Sequence, residues 1–554
     1  MIHRIFFLDW FSHFSRPIST VAGAALILAI FGILSRILGL IRDRLLASTF
    51  GAGDVLDVYY ASFRIPDFLY GILVLGALSA AFIPVFSKIY AKDDFEEAWK
   101  LTSDFLLLLV GAITFFALIS FLCMPFFVYA VAPGFSGQKL EATIELTRIM
   151  LLSPIFLGAS AVFGGVLISK RSFLAYAIAP ILYNIGIIFG ILFFSEKFGS
   201  SGLAWGVVMG SILHFFIQAI SVVRSGYRFQ CPYAFPWKNP KIKKILLLMF
   251  PQIFSIASSQ IHFWIITLFA SIMVSGSLAV FNFANNFQSI PLAIIGVSFA
   301  VAAFPKLSAS VDEENMENFR HIFIGTARRI LYFVIPASVF LILLRAELVR
   351  VVLGSGVFNW EDTTRTFQVL GLLSISLFAQ SLLPLTIRAF YSLEDTKTPF
   401  FVALFSQCIN IIGILLTWKI WGVYSLAIAF SFASIVQIFL LFFFLRRRVG
   451  SGWMDKKTGV SLNIFPMLLA VFVSGVCVQI MKLFWGSITD LNTFWEVFGR
   501  LFFAGSIGVI AYIIMSHWLR IEEFCDFRKK VYSRLFGKAK TLALVREEGD
   551  LREM

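Results

Sequence analysis

From Val21 to Trp518 the chain is an almost unbroken succession of apolar stretches separated by short polar loops. Each is near the ~20 residues that an α-helix needs to cross the hydrocarbon of a bilayer. Hydrocarbon offers no water to the backbone N–H and C=O groups, so stretches of this kind must satisfy those groups internally, as helices. The pattern predicts about 14 helices, centred near residues 34, 74, 115, 155, 183, 213, 258, 291, 332, 377, 407, 433, 472 and 507. Hydrophobic residues make up 59% of the 554 and charged residues only 14%, which leaves little length for a soluble domain. The expected fold class is an all-α polytopic membrane protein, and an even number of spans puts both termini on one side.

The charges say which side. Lys88, Lys92, Lys100, Lys170, Arg171, Arg224, Arg228, Lys241, Lys243, Lys244, Arg320, Arg328, Arg446, Arg447, Arg448, Lys456 and Lys457 fall in one alternate set of loops. With the tail from Arg520, that face holds roughly 30 of the 46 Lys and Arg residues. The opposite loops hold few, such as Lys139, Lys197, Arg345, Arg350 and Lys419. Both termini are therefore expected in the cytoplasm. The net charge of +14 follows from this topology and does not point to nucleic acid. Anionic lipid or a partner enzyme would also suit the basic loops. Met1 to Thr20 lacks the short apolar core and small-residue site of a cleaved signal peptide. The tail after Arg520 reads as solvated and partly disordered.

Little in the chain suggests an enzyme. The phosphate-loop, H-E-x-x-H and G-x-S-x-G patterns are missing, so no catalytic residue is assigned. Cys123, Cys231, Cys408, Cys477 and Cys525 have no metal-ligand or paired spacing and read as packing residues; no metal or cofactor is expected. The histidines, including His214 and His262, form no ligand pair.

An internal repeat is visible. Asp57-Val58-Tyr59-Tyr60-Ala61-Ser62-Phe63 compares with Ala279 to Phe287, and Ala80-Ala81-Phe82-Ile83-Pro84 compares with Ala302-Ala303-Phe304-Pro305. The offset, about 221 to 225 residues, holds six helices, which implies parallel halves with a substrate site between them. The expected division is a first lobe over 1–230, a second over 231–450, two further helices over 451–520 and a basic cytoplasmic tail over 521–554.

Inside the first apolar stretch lies Ser35-Arg36-Ile37-Leu38-Gly39-Leu40-Ile41-Arg42-Asp43. A charge near the bilayer centre costs about 3 kcal/mol on insertion scales, so such residues normally face a polar interior and mark a substrate or ion path. From Val21, Arg36 is about 22 Å along the helix, past the midplane. Arg36, Gly39 and Asp43 share one face, and Gly39 removes side-chain bulk there, either to admit a ligand or to let another helix approach. Asp57 and Arg64-Ile65-Pro66-Asp67 repeat the theme in the second helix, where Pro66 is expected to kink or break the chain. Arg36, Arg42 and Arg64 could pair with Asp43, Asp57 and Asp67, and such pairs would serve as gates if an anionic ligand opens them. Guanidinium donates two parallel hydrogen bonds to phosphate and stays charged, so the path favours a phosphate-bearing substrate.

These residues carry a family resemblance. The Ser35 to Asp43 run, Phe50-Gly51-Ala52-Gly53 with Asp57, Phe63 to Asp67, Gly76 to Pro84, Ser275-Gly276-Ser277 and Phe304 to Ser308 resemble the motifs of the MurJ (MviN) family. The resemblance extends over nearly the whole chain. It implies a lipid II flippase of bacterial peptidoglycan synthesis, in the cytoplasmic membrane, with the multidrug/oligosaccharidyl-lipid/polysaccharide exporter fold and a MATE-like pair of lobes. Alternating access and a groove for the lipid tail at the last two helices are implied with it. Arg36 and Arg42 carry over as ligands of the diphosphate, Asp43 as a gate residue and Asp57 as the family aspartate near the outer end of helix two.

The chain departs from the family pattern at Tyr70 and Asn286, where arginines are usual, and at Leu75 and Ser289, where glutamates are. Asn282, Asn285, Asn286 and Ser289 still share one helix face and offer amide groups to sugar or peptide, or hydrogen bonds to another helix. The expected substrate contacts are thus Arg36, Arg42, Arg64, Asn282 and Asn286, with Asp43, Asp57 and Asp67 as gate or ion-pair residues. Lipid II, membrane lipids and cell-wall synthesis enzymes are the expected partners. The alternatives are a polysaccharide-lipid or multidrug exporter of the same fold, or a cell-wall scaffold that transports nothing.

Overall fold

The computed structural model describes residues 21–75, 82–230, 236–311, 316–450 and 464–536, and the regular structure among them is helical. Met1 to Thr20, residues 76–81 of the Gly76 to Pro84 run, Cys231, the Lys456-Lys457 pair and the tail beyond Phe536 lie outside the described residues.

Ten helices are long and apolar enough to cross a membrane, or eleven if Trp360–Ile375 and Leu377–Ser392, bent by 47°, form one span. Val21–Phe50 is not among these ten, yet its 30 residues run as one helix, about 45 Å long. The expected count of about 14 is not reached by this measure among the described residues. The second span is one reason, because it is divided into Asp54–Ser62, Arg64–Tyr70 and a π-helical Gly71–Leu75. Its break falls at Phe63, three residues before the expected position, and Pro66 sits in the first turn of the next helix, where a missing N–H costs nothing. Around the other expected flex point, Pro291 ends an α-helix and Gly296 lies in the π-helical stretch Leu292–Val297.

The chain divides into two compact units. The first comprises the residues up to Asn282 together with Val352–Asp362 and Thr417–Leu426; the second comprises Phe283–Val351, Thr363–Leu416 and the residues from Ala427 onward.

In the first unit the core is aromatic. Phe82 stacks on Phe105 at 4.8 Å between ring centres, and Trp99 meets Tyr227 edge-on at 5.6 Å. Helices Phe173–Phe189 and Ser201–Arg224 meet backbone to backbone. A Cβ on Gly186 would collide with Gly210, and one on Gly206 with Gly190, the first residue of the π-helical continuation Gly190–Phe194, so glycine alone permits this approach.

In the second unit Phe319, Phe323, Leu382, Leu385 and Phe390 form the core. The hairpin of Phe465–Ile488 and Phe494–Trp518 is held to Glu317–Leu343 by the Tyr512 hydroxyl, which donates to the Tyr332 carbonyl at 2.7 Å. The start of the tail is not loose. Glu522–Phe536 is a helix whose Glu522 and Glu523 pair with Arg328 at 3.0 and 2.6 Å.

Peripheral helices show their apolar side chains outward, as lipid contact requires. The apolar window of Phe494–Trp518 is 22% buried, against 67% for Gly137–Ser169 at the centre of its unit. Cys123 and Cys408 belong to the outward set: both are exposed, and neither is the core packing residue expected from sequence.

Candidate functional site

The two arginines of the first helix have different surroundings. Arg42 is engaged: its Nε and Nη2 donate to Asp43 Oδ1 at 3.0 and 2.8 Å, and its Nη1 donates to Asn184 Oδ1 at 3.1 Å. Asn184 in turn donates from Nδ2 to the Pro180 carbonyl at 3.1 Å and to Ser35 at 3.3 Å, so a single amide orients the guanidinium against the first helix. Asp43 is buried, as a carboxylate in this setting can be only when paired.

Arg36 is half-buried, and no described residue makes a hydrogen bond or ion pair with it. Beside it, a Cβ added at Gly32 or Gly39 would meet nothing within 4 Å. Of the two uses open to Gly39, space for a ligand therefore fits and close helix packing does not. The first helix thus presents a guanidinium whose donors are uncommitted among the described residues, next to room for an acceptor.

Arg64 is committed. It is buried, its Nε donates to Thr267 Oγ1 at 2.6 Å, its Nη2 donates to Asn282 Oδ1 at 3.2 Å, and it lies 5.3 Å from the centre of the Phe263 ring. Sequence reasoning groups Arg64 and Asn282 as substrate contacts, and the structure brings them together in a contact with each other. Asn286, one turn further on, is half-buried, like Asn282, Asn285 and Ser289, while Phe281, Phe283 and Phe287 on the other side of the helix are buried.

Asp57 accepts from four donors. It is 1% exposed; Oδ2 accepts the Gly276 N–H at 2.8 Å and Lys139 Nζ at 3.0 Å, while Oδ1 accepts the Leu278 and Ala279 N–H groups at 3.1 Å each. It caps the N-terminus of Ser277–Pro291, where unpaired N–H groups and the helix dipole favour an anion. Asp54 accepts from the same Lys139 at 2.5 Å and from the Ser275 hydroxyl at 2.7 Å. Gly276 makes this junction possible: its φ of +83° is left-handed, and a Cβ there would collide with the Ala52 carbonyl oxygen. The neighbouring segment is sealed in the same way. The Val357 N–H donates to the Ser48 carbonyl at 3.0 Å, and the Ala52 N–H donates to Asp362 Oδ2 at 3.2 Å.

Asp67 pairs with none of the expected arginines by hydrogen bond. Its carboxylate is open to a cavity of about 250 Å³ that is also lined by Phe63, Tyr70, Pro180, Tyr183 and His214.

Asn184, Thr267 and Lys139 escape the sequence reading as partners. Only Lys139 carries a signal that could have found it, as one of the few cations in the lysine-poor set of loops.

The chain matches the family model described as lipid II flippase MurJ over residues 46–497. Among similar proteins, a probable lipid II flippase MurJ of Buchnera aphidicola subsp. Acyrthosiphon pisum is 30% identical over 506 residues, which cover 90% of this chain and 97% of the relative. The lipid II flippase MurJ of Burkholderia cenocepacia is 26% identical, over 79% of this chain and 86% of its own. Among solved structures, a lipid II flippase MurJ in an inward closed conformation superposes with a TM-score of 0.73 at 24% identity, covering 89% of this chain and 99% of that one. An inward-facing MATE family multidrug transporter of the MOP superfamily follows with 0.63 at 16% identity, over 77% and 98%. These two share the fold. With more than half its length matched by the family model, this multi-pass membrane protein belongs to the MurJ family.

Proposed function

We propose that this chain moves lipid II, a lipid-linked diphosphate sugar-peptide, from the cytoplasmic to the outer leaflet of the bacterial inner membrane by alternating access. The observation that carries this reading is Arg36, a guanidinium deep in the first helix with no described partner and with open space at Gly32 and Gly39. A diphosphate supplies the paired acceptors such a group lacks. Family membership supports the same substrate.

In this mechanism Arg36 takes the diphosphate first. Arg42, already turned by Asn184, exchanges part of its bond with Asp43 for a phosphate oxygen. Arg64 and Asn282 hold the wall behind them. On the outer side, release of the Asp57 cap from the Ser277–Pro291 helix frees the path outward. The division into lobes over 1–230 and 231–450, cytoplasmic termini and a lipid-tail groove at the Phe465–Ile488 and Phe494–Trp518 hairpin complete the proposal. Enzymes that use the flipped product in wall synthesis are the expected partners.

The test is complementation of a bacterium depleted of its lipid II flippase. The parent chain is expected to restore growth and cell shape, and Arg36→Ala is expected not to, at equal membrane abundance. Rescue by Arg36→Ala would overturn the assignment of that residue.

A further inference from the structure

The cavity at Asp67 lies near the arginines, but no arginine is among its described lining residues. Asp67 is the one carboxylate among its described lining residues, and no described residue donates a hydrogen bond to that carboxylate. The nearest cation in sequence, Arg64, gives its hydrogen bonds to Thr267 and Asn282 and reaches the carboxylate only through its charge. Around the carboxylate stand the rings of Phe63, Tyr70 and Tyr183. His214 also lines the cavity, with its Nδ1 2.8 Å from the Ser160 hydroxyl. A lone carboxylate among aromatic faces is the environment that binds an alkylammonium, by a charge-assisted hydrogen bond on one side and cation–π attraction on the others.

Size separates the candidate cations. A volume of about 250 Å³ exceeds what a proton or bare alkali ion needs, and it suits an aliphatic arm ending in an amine. Position points the same way. Pro180 lines the cavity, its carbonyl accepts the Asn184 amide, and the same amide orients Arg42. An anionic pocket and a cationic wall are thus joined through Pro180 and Asn184, an arrangement that complements a ligand with phosphate at one part and a primary amine on a flexible arm at another.

We infer that the Asp67 cavity is a subsite for a primary ammonium group carried on the substrate's peptide arm. This rests on the proposed lipid II substrate and adds a specificity element to it.

The experiment uses the full chain, purified in detergent, with two probes. Nα-acetyl-lysine N-methylamide carries the amine, and Nα-acetyl-norleucine N-methylamide is its uncharged counterpart. The lysine probe is expected to bind in calorimetry and the norleucine probe at least about tenfold more weakly, with Asp67→Asn lowering lysine-probe affinity about tenfold, as for one lost charge-assisted hydrogen bond. Asp67→Glu, which keeps the charge, is expected to retain part of the binding. The melting temperature of each variant, and its binding of an isoprenyl diphosphate, verify folding and test the parent reading separately. Equal binding of both probes, or an Asp67→Asn variant that is folded and binds the lysine probe as the parent does, would overturn the subsite. Loss of isoprenyl diphosphate binding by the parent chain would instead overturn the substrate reading.

Discussion

The carboxylate of Asp57 and the backbone nitrogen of Gly276 lie 2.8 Å apart across 219 residues of sequence, and the two depend on each other. Without the left-handed turn at Gly276 the first N–H groups of the Ser277–Pro291 helix would not converge on the carboxylate. Gly276→Ala is expected to destabilise by more than ~1 kcal/mol, since both the φ and the Ala52 carbonyl oppose a Cβ. Asp57→Asn should cost about 1–2 kcal/mol through the lost charge at the helix end. Both effects are readable as lower melting temperatures, and hydrogen exchange should quicken at the amides of 276–280. Unchanged exchange there would show that the cap does not hold the junction.

Arg36 and Arg64 should respond in opposite ways. Arg36→Ala removes no bond made to a described residue, so stability should stay within about 0.5 kcal/mol of the parent while flipping fails. Arg64→Ala leaves Thr267 and Asn282 without their donor and should cost roughly 1–3 kcal/mol. Thermal melts of the two variants beside a flipping assay separate a ligand contact from a wall residue.

In the second unit, Glu347 is buried between two cations, Lys482 Nζ at 3.0 Å and Arg500 Nε at 3.3 Å. Glu347→Gln would leave those charges facing each other in a dry setting, with an expected cost of about 3 kcal/mol. The helices Phe465–Ile488 and Phe494–Trp518 carry Lys482 and Arg500, so limited proteolysis should cut the connection between them faster in the variant. Equal cleavage rates would argue that the carboxylate does not pin this hairpin.

A pH effect is expected at Asp395, in the turn ahead of Lys397–Trp421. Burial by itself would raise this carboxyl, but the Thr398 N–H and hydroxyl, then Arg448 and the Lys397 N–H, hold it below the usual range. Its stabilisation is therefore complete above the ordinary aspartate value of about 4 and fades as pH falls through the depressed value. Asp395→Ala should cost about 1 kcal/mol at neutral pH and flatten the acid limb of a melting curve. An acid limb identical to the parent's would rule this aspartate out as the source.

The membrane class was legible because length and apolarity suffice to force helices. The charged run was legible because arginine in hydrocarbon is costly. Which arginine is free was not. Arg42 is paired with its neighbour Asp43 and oriented by Asn184, 142 residues away, and Arg64 is engaged by Thr267 and Asn282, 203 and 218 residues away; apart from Asp43 these partners are neutral side chains that look like any other in a span. Asp57 drew attention as a carboxylate, yet its principal partners are backbone N–H groups, which every residue but proline has. Proline is the visible breaker, so the sequence points to a kink or break at Pro66, whereas the break falls at Phe63, because a proline in a first turn leaves a helix intact.

The glycine seam between Phe173–Phe189, with its π-helical continuation Gly190–Phe194, and Ser201–Arg224 has a consequence for evolution as well as for motion. With Gly186 against Gly210 and Gly190 against Gly206, not even alanine fits between the two backbones. The pair can slide or part only by giving up the whole contact at once, so it travels as one plank. Side chains larger than hydrogen are barred along that line, and the bending that transport requires falls to stretches beyond it, such as the π-helical Gly71–Leu75 and Leu292–Val297, while the seam's own π-helical end, Gly190–Phe194, is held by Gly206.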